Sequence, residues 1–296
     1  MNYKIHPVDI KNPEIEEKLR MLIKDAFQTK EPIPPGHLLK NTTTPKASKE
    51  TVFLAAFENG EMIGCNGFMS TDFVYNGKIS SCYQSCWSAT HPKHQGKKVF
   101  VNIINEGKNV LKEKGAGFIY GVPNNNSHPI FTKKLGFKEI PSVMIKIPNI
   151  PYLRDSYFTK KTKNIESFKS ATFYPLEDQI IDLKKNMPGE DVIEITENRS
   201  ILWGKLKISP SKFGIKLNYF YVGGMELFDT KDLKRMLDQV FRKFNVRYIQ
   251  IVSCKSNLYN GLVKGWKPTA MNGFIFYELN APVENVNIFY GVIDVF

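Results

Sequence analysis

Apolar residues are spaced in two different ways in the first third of the chain, and the two spacings predict a helix followed by several strands. Over residues 14–28 they recur every three or four positions, as on one face of an amphipathic helix. Later runs have the length and composition of strands, and they span residues 52–57, 62–68, 69–75 and 78–90. The dipeptides Asn59-Gly60 and Asn76-Gly77 are typical of hairpin turns, so we expect an antiparallel meander.

The next stretch alternates between helix and strand. Residues 99–114 carry apolar side chains at helical spacing and end at two glycines, which predicts a long helix. A strand at 118–122, an asparagine-rich break at 123–127, a short helix at 128–135 and a strand near 143–147 follow. We therefore expect an α/β (α+β) fold with a mixed, mostly antiparallel sheet flanked by helices.

The second half repeats this order of elements at low identity. The repeated elements are a strand at 216–222, a helix ending at 244, a strand at 246–252, a short helix at 255–264 and the pair Gly265-Trp266, which corresponds to Gly136-Phe137. This pattern indicates an internal duplication, although unrelated α/β units can also share the same order of helices and strands. We expect a first domain at 1–150, a linker at 151–163 and a second domain at 164–296.

The charge of the chain favours anionic partners without naming one. The 296 residues carry a formal net charge of +12, but the basic residues are spread out and no zinc-finger spacing occurs. We therefore do not expect nucleic-acid binding. No apolar run reaches the ~18 residues that span a bilayer, and the start lacks a signal-peptide core. We expect a cytoplasmic protein with no membrane partner; the sequence does not indicate its oligomeric state.

The four cysteines do not form a recognisable reactive or metal-binding motif. Cys65, Cys82, Cys86 and Cys254 include no C-x-x-C pair, so we interpret them as reduced core thiols. No cluster of metal-ligating residues has the spacing of a zinc site, and we expect no metal.

The most distinctive segment is a basic turn, residues 94–98, in front of the predicted helix at 99–114. Between His91 and Lys138 there are nine lysines and two acids. The first turn of a helix has free backbone N–H groups, and the helix dipole places partial positive charge there. Such a site suits a diphosphate, so the segment predicts a soluble cofactor that carries phosphates.

This order of elements resembles the GCN5-related N-acetyltransferases (GNAT). Their first motif is usually Thr/Val-x-Pro, a short spacer, and Gln/Arg-x-x-Gly-x-Gly/Ala; Thr90-His91-Pro92 matches its first part, and Gln95 and Gly96 fit its second. Lys98 stands where the family usually has its defining glycine, and Phe100 stands where it has glycine or alanine. A β-carbon at Lys98 is compatible with the turn only if this residue keeps a negative φ.

A later motif of the family is met by Asn125, Gly136 and Phe137, with Thr132 at the position of its tyrosine. In the family that tyrosine often protonates the departing thiolate of coenzyme A, and threonine is a poor acid, so this role has no candidate here. The resemblance covers about residues 1–147. The second half resembles the degenerate lobe of two-lobed members, some of which acylate nucleotide-linked amino sugars for surface polysaccharides. It lacks the basic turn, so we expect no cofactor site there.

The resemblance implies an acyl-coenzyme A (acyl-CoA) site around the end of the strand at 78–90. Backbone N–H groups there would polarise the thioester carbonyl, the basic turn would hold the diphosphate, and the asparagine-rich break would hold the pantetheine arm. The residues so assigned are Trp87, Ser88, Ala89, Thr90, Gln95, Gly96, Lys97, Lys98, Val99, Phe100, Asn124, Asn125, Ser127, Phe131 and Thr132.

The general base has several candidates, because residues 79–105 contain no carboxylate. His37 lies on the long loop at 29–49 that we expect to cover the acceptor, and His91 and His128 flank the cofactor motifs. Asp72 could act through water. Each of these side chains also has an ordinary interpretation as a surface or structural group.

These features together predict an acyltransferase that moves an acyl group from acyl-CoA to a primary amine by direct attack. The acceptor is expected to be a small amine, with a nucleotide-linked amino sugar as the candidate suggested by the two-lobed relatives. Two alternatives stay open. One is an aminoacyl transferase that uses transfer RNA, of the peptidoglycan-ligase type, and the other is a non-catalytic module that binds coenzyme A.

Overall fold

A computed structural model describes residues 2–158, 165–210, 216–264, 266–283 and 285–292. The helices are α1 (Pro13–Phe27), α2 (His37–Thr42), α3 (Val99–Glu113), α4 (His128–Lys133), α5 (Ile165–Ser170), α6 (Glu177–Asn186) and α7 (Thr230–Phe244). The strands are β1 (Lys4–Val8), β2 (Val52–Glu58), β3 (Glu61–Tyr75), β4 (Lys78–Thr90), β5 (Phe118–Gly121), β6 (Lys138–Pro148), β7 (Tyr174–Pro175), β8 (Ile193–Glu197), β9 (Ser200–Pro210), β10 (Lys216–Glu226), β11 (Tyr248–Cys254) and β12 (Trp266–Glu278). None of the helices described is long and apolar enough to cross a membrane.

The predicted meander is confirmed as strands β2, β3 and β4. Both Asn-Gly turns have positive φ at both residues, 50° and 85° at Asn59-Gly60 and 48° and 71° at Asn76-Gly77. This is the geometry of type I′ turns, which match the twist of the strands that they join. The two runs predicted at 62–68 and 69–75 form one long strand, β3, because no turn residue interrupts them.

The strands form one sheet in the order β1-β2-β3-β4-β5-β12-β6-β11-β10-β9-β8, with β7 added beside β3. The mixed, mostly antiparallel sheet flanked by helices confirms the predicted fold class. Both halves have the same plan: β4 and β5 run parallel, as do β10 and β11, and the helices α3 and α7 connect them. The second half therefore repeats the first in its topology.

The two halves exchange their last strands at the centre of the sheet. Strand β6, which follows α4 in the first half, pairs with β11 of the second half, and β12 pairs with β5 of the first. The expected strand at 143–147 thus exists, although it is longer than predicted. The domain boundary near residue 150 stays a prediction, and it separates strands that are neighbours in the sheet.

Several details of the second half differ from the prediction. The expected helix at 255–264 is only a short 3-10 helix, Leu258–Gly261, and Gly265 lies outside the described residues. Part of the expected linker forms another 3-10 helix, Pro151–Tyr157, and residues 159–164 also lie outside the described part of the chain.

Helix α3 lies directly on strand β3, which fixes the position of its N-terminus. Its buried face consists of Val99, Ile103, Ile104 and Leu111, and burial of each such side chain stabilises the fold by about 2 kcal/mol. Gly107 permits close contact, since a β-carbon there would lie 2.2 Å from Cζ of Phe68. The helix therefore cannot shift without disturbing the core.

Candidate functional site

The parallel pairing of β4 and β5 is very short, and a cavity opens where it stops. Only Tyr83 with Ile119 and Gln84 with Tyr120 are paired in register. Beyond them lies a cavity of about 1030 Å³, a volume at the upper end of the range of ligand sites. Residues of β4, the basic turn, α3, β5 and α4 line it, so the resemblance and the cavity indicate the same region.

Strand β4 is bulged next to this cavity. In the register with β3, Ala89 pairs with Cys65 and Cys86 pairs with Gly67, so two residues, Trp87 and Ser88, oppose Asn66. Trp87 adopts a φ of 49°, a left-handed conformation that costs about 1 kcal/mol in a residue with a β-carbon. A bulge of this kind redirects backbone groups at the end of a strand and is common beside active sites.

The basic turn contains two left-handed residues, Gly96 with a φ of 77° and Lys98 with a φ of 62°. Lys98 is the residue that precedes α3, and no side chain caps this end of the helix. The condition that Lys98 keep a negative φ is not met, because this residue takes the glycine-like conformation itself. Hence the turn can present the free N–H groups of the first helical turn to a ligand, although the family glycine is missing.

The space at this turn fits an anionic group. A β-carbon built on Gly96 would meet no atom within 4 Å, so the backbone faces open space. Lys98, Lys134 and His94 line the cavity, and none of its described lining residues is Asp or Glu. Backbone donors, the helix dipole and two lysines therefore act in the same direction, as a diphosphate requires.

Most of the residues assigned to the donor are brought together around the cavity. Those that line it are Trp87, Ser88, Ala89, Thr90, Gln95, Gly96, Lys98, Val99, Phe100, Asn124, Ser127 and Phe131. Lys97, Asn125 and Thr132 do not line it. The hydroxyl of Thr132 donates to the carbonyl of His128 at 2.9 Å, as in an ordinary helix.

The asparagine-rich break is organised by its own first asparagine. Oδ1 of Asn124 accepts the backbone N–H groups of Asn126 at 3.0 Å and Ser127 at 2.9 Å, and the Ser127 hydroxyl at 3.1 Å. This is an Asx turn, and it holds the segment at the mouth of the cavity in front of α4. The side-chain oxygen of Asn124 is thereby occupied within the protein.

Asp72 does not line the cavity. Its buried carboxylate accepts the backbone N–H of Ser48 at 2.8 Å, the hydroxyl of Ser48 at 2.6 Å and Nε2 of Gln179 at 3.0 Å. It therefore fastens the loop before β2 and helix α6 to strand β3. Its role as a base stays a prediction, and these contacts give it a structural explanation.

The three candidate histidines also lie outside the cavity lining. The ring of His37 contacts Trp87 edge-on, with 5.7 Å between ring centroids, and burial lowers the pKa of His37. Nδ1 of His91 accepts the backbone N–H of Lys93, and Nε2 of His128 lies 2.9 Å from Oε2 of Glu139. Two of these rings contact the cavity wall: His37 contacts Trp87, and His91 contacts His94 edge-on, with 5.8 Å between ring centroids.

Several lining residues were not predicted from the sequence. His94 was noted only as part of the basic turn, yet it lines the cavity, and its Nδ1 lies 3.6 Å from Oε2 of Glu58. Ala26 and Phe27 come from the end of α1, and Ile275 comes from β12. No local pattern predicted Ile275, because its strand reaches β5 only through the exchange between the two halves.

The four cysteines, all in the described part of the chain, are buried thiols outside any disulfide, as predicted. Burial raises the pKa of the Cys65 thiol to about 12 and also raises the pKa of the thiols of Cys82 and Cys254. These three side chains are therefore protonated at neutral pH and are poor nucleophiles.

Comparison with known proteins finds one family model that the first half resembles. Residues 9–140 match the family model of the acetyltransferase (GNAT) domain. A sequence search of curated proteins finds no match.

Solved structures share the fold over nearly the whole chain. A GCN5-related N-acetyltransferase from Anabaena variabilis has a TM-score of 0.65 at 10% identity, and the matched region spans 94% of this chain and 73% of the Anabaena chain. One from Kribbella flavida has a TM-score of 0.63 at 9% identity, with 95% and 72% covered. A structure from Enterococcus faecalis, described as a probable N-acyltransferase, has a TM-score of 0.61 at 10% identity, with 94% and 72% covered. At these identities the likeness establishes the fold alone.

Proposed function

We propose that the protein transfers an acyl group from acyl-CoA to a primary amine, and the match of residues 9–140 to the GNAT acetyltransferase domain supports this. The observation that carries this proposal is the position of the cavity. It begins where β4 and β5 separate and ends at the basic turn before α3, so a ligand can place a diphosphate at one end and a thioester at the other.

The reaction follows from this arrangement. A neutral amine attacks the carbonyl carbon of the thioester, the C–N bond forms, and the C–S bond breaks to release the thiolate of coenzyme A. The negative charge that develops on the carbonyl oxygen would be stabilised by backbone N–H groups at the bulged end of β4. The amine loses one proton and the thiolate gains one, and no covalent intermediate with the enzyme is needed.

A nucleotide-linked amino sugar is the acceptor that we propose. Its diphosphate would be attracted by the excess positive charge of the chain, which has a net charge of +12. The lack of Asp and Glu among the described lining residues disfavours polycationic amines, which need acidic groups nearby. The resemblance to two-lobed acyltransferases of surface-polysaccharide biosynthesis supports the same class.

We also propose that only the first half binds the acyl donor. In the second half, a β-carbon on Gly223 of β10 would lie 2.2 Å from the indole of Trp203, and a β-carbon on Gly291 would collide with the backbone of Gly223. The strand segment that corresponds to the bulge of β4 is thus covered by Trp203 and by the 3-10 helix Tyr290–Val292.

Isothermal titration with acetyl-CoA tests the proposal. We expect the wild-type protein to bind and Gly96→Asp to abolish binding, because a carboxylate would enter the space proposed for the diphosphate. Gly77→Asp is the matched control, since Gly77 has a φ of 71° and equally open surroundings but lies in a distant hairpin. Absence of binding by the wild type would refute the proposal.

The same measurements separate the two alternatives. Binding of coenzyme A without turnover on a panel of amines would favour the non-catalytic module. An affinity for transfer RNA that falls steeply with salt, together with aminoacyl transfer, would favour the ligase type.

A further inference from the structure

A buried asparagine holds two serine hydroxyls in fixed orientations at the place where strands β4 and β5 separate, which we call the strand split. Asn66 is fully buried, and its Oδ1 accepts hydrogen bonds from Oγ of Ser88 at 2.5 Å and Oγ of Ser85 at 3.1 Å. Its Nδ2 donates to the carbonyl of Gly67 at 2.7 Å. Because that carbonyl can only accept, the orientation of the amide is settled, and the oxygen must face the serines.

The bulge of β4 makes this arrangement possible. In a regular strand, residues three positions apart point to opposite faces of the sheet, so Ser85 and Ser88 would diverge. The extra residue, with Trp87 in its left-handed conformation, turns Ser88 back to the side of Ser85. Both hydroxyls then reach one oxygen of Asn66, and both serines line the cavity.

The hydrogen bonds determine what the serines can offer to a ligand. A serine hydroxyl has one proton, and in both residues it is committed to Asn66. The lone pairs of each Oγ remain, so toward the cavity the two oxygens act as acceptors of hydrogen bonds. A group that suits them is an N–H donor, whereas a carboxylate or phosphate oxygen would meet only lone pairs.

We propose that Ser85 and Ser88 are paired acceptors for a substrate N–H group at the strand split, and that Asn66 is the residue that positions them. This inference rests on the proposed function, under which two N–H groups pass this point: the attacking amine and an amide of the pantetheine arm. Acceptors that hold the N–H bonds of a neutral amine leave its lone pair free to face the thioester carbonyl.

The test compares Ser85→Ala, Ser88→Ala and Ser81→Ala. Ser81 lies in the same strand but does not line the cavity, which makes it the matched control. The dissociation constant of acetyl-CoA is measured by titration, and KM for hydroxylamine, used as the smallest amine nucleophile, is measured by thiol release. We expect Ser85→Ala and Ser88→Ala each to raise one of these constants by roughly fivefold, as for the loss of one hydrogen bond, while Ser81→Ala changes neither.

The two readouts identify the group that is bound. A rise in KM for hydroxylamine alone assigns the serines to the amine, and a rise in the dissociation constant of acetyl-CoA assigns them to the pantetheine arm. Asn66→Asp keeps an acceptor for both hydroxyls and should retain more of the affinity than Asn66→Leu, which frees the serine protons. A merely structural role of Asn66 would instead change thermal stability without changing either constant.

The outcomes that overturn this inference differ from those that overturn the proposed function. If the wild type binds acetyl-CoA while both serine variants keep both constants within twofold of it, the inference is wrong and the proposed function stands. If the wild type neither binds acetyl-CoA nor transfers its acyl group, both are wrong. Should Asn66→Leu fail to fold, the two serine variants alone decide.

Discussion

The carboxyl group of Glu177, at the start of α6, accepts a hydrogen bond from the indole Nε1 of Trp203 at 2.6 Å in the interior of the second half. Burial raises the pKa of Glu177 to about 8, against an ordinary value of 4.5. This side chain is therefore a neutral acid over most of the physiological pH range while the protein is folded.

Glu177 should make the protein less stable as the pH rises. Below about pH 4.5 the group is protonated in both states, whereas between 4.5 and about 8 the unfolded chain has lost the proton that the folded chain still holds. The free energy of unfolding should therefore fall across this window and level off above it. Glu177→Gln keeps the acceptor for Trp203 and should flatten the profile, while Glu61→Gln, at an exposed acid, should not. Denaturant unfolding between pH 5 and 9 measures the effect, and parallel profiles for wild type and Glu177→Gln would contradict it.

Replacement of Lys98 should stabilise the fold but weaken binding of the acyl donor. Asparagine tolerates a φ of 62° better than lysine, so Lys98→Asn should raise the free energy of unfolding by about 0.5 kcal/mol. The same change removes a positive charge from the cavity and should weaken acetyl-CoA binding, with a smaller dependence on salt. Lys97→Asn removes a lysine with ordinary backbone geometry and should not stabilise the protein. Thermal melts and titration at two salt concentrations measure both effects, and unchanged binding by Lys98→Asn would argue against a role for this charge.

The contact between α3 and β3 should be intolerant of added volume. Gly107→Ala would place a β-carbon 2.2 Å from the ring of Phe68, and overpacking of this kind costs about 1–3 kcal/mol. Phe68→Leu in the same chain should recover part of that loss, because the smaller side chain leaves room. A double-mutant cycle by denaturant unfolding checks the coupling. Additive effects of the two changes would show that the contact is not the cause.

The exchange of strands should make the first half dependent on the second. A fragment of residues 1–150 lacks β12, so the edge of β5 and the surface covered by Ile275 and Phe276 would be exposed. We expect this fragment to aggregate or to unfold without cooperativity, and not to bind acetyl-CoA. Circular dichroism during thermal unfolding and titration measure this. A fragment that unfolds cooperatively and binds the donor would establish residues 1–150 as an independent domain.

Local sequence signals predicted local structure well. The two Asn-Gly pairs specify type I′ hairpins through their tolerance of positive φ, and the apolar spacing of residues 99–114 specifies α3. The GNAT resemblance rested on such signals around Thr90 and Gln95, and the family match confirms it.

Features that depend on distant parts of the chain were not predictable. The pairing of β6 with β11 instead of β5 follows from the exchange between the halves, which no local pattern encodes. The left-handed conformation of Trp87 and the serines turned toward Asn66 result from a bulge in the register with β3. The only sequence signal for Asn66 was a polar residue inside an apolar strand, and a buried amide of this kind needs partners.

The pairing of β12 with β5 also has a consequence for synthesis. The first half leaves the ribosome well before residues 266–278, so the edge of β5 stays unpaired until those residues have been translated. Contacts between residues more than 140 positions apart, such as Ile119 with Tyr277, form slowly during folding. During that interval the nascent chain is exposed to aggregation, and we expect its yield in cells to depend on chaperones that shield the edge of β5.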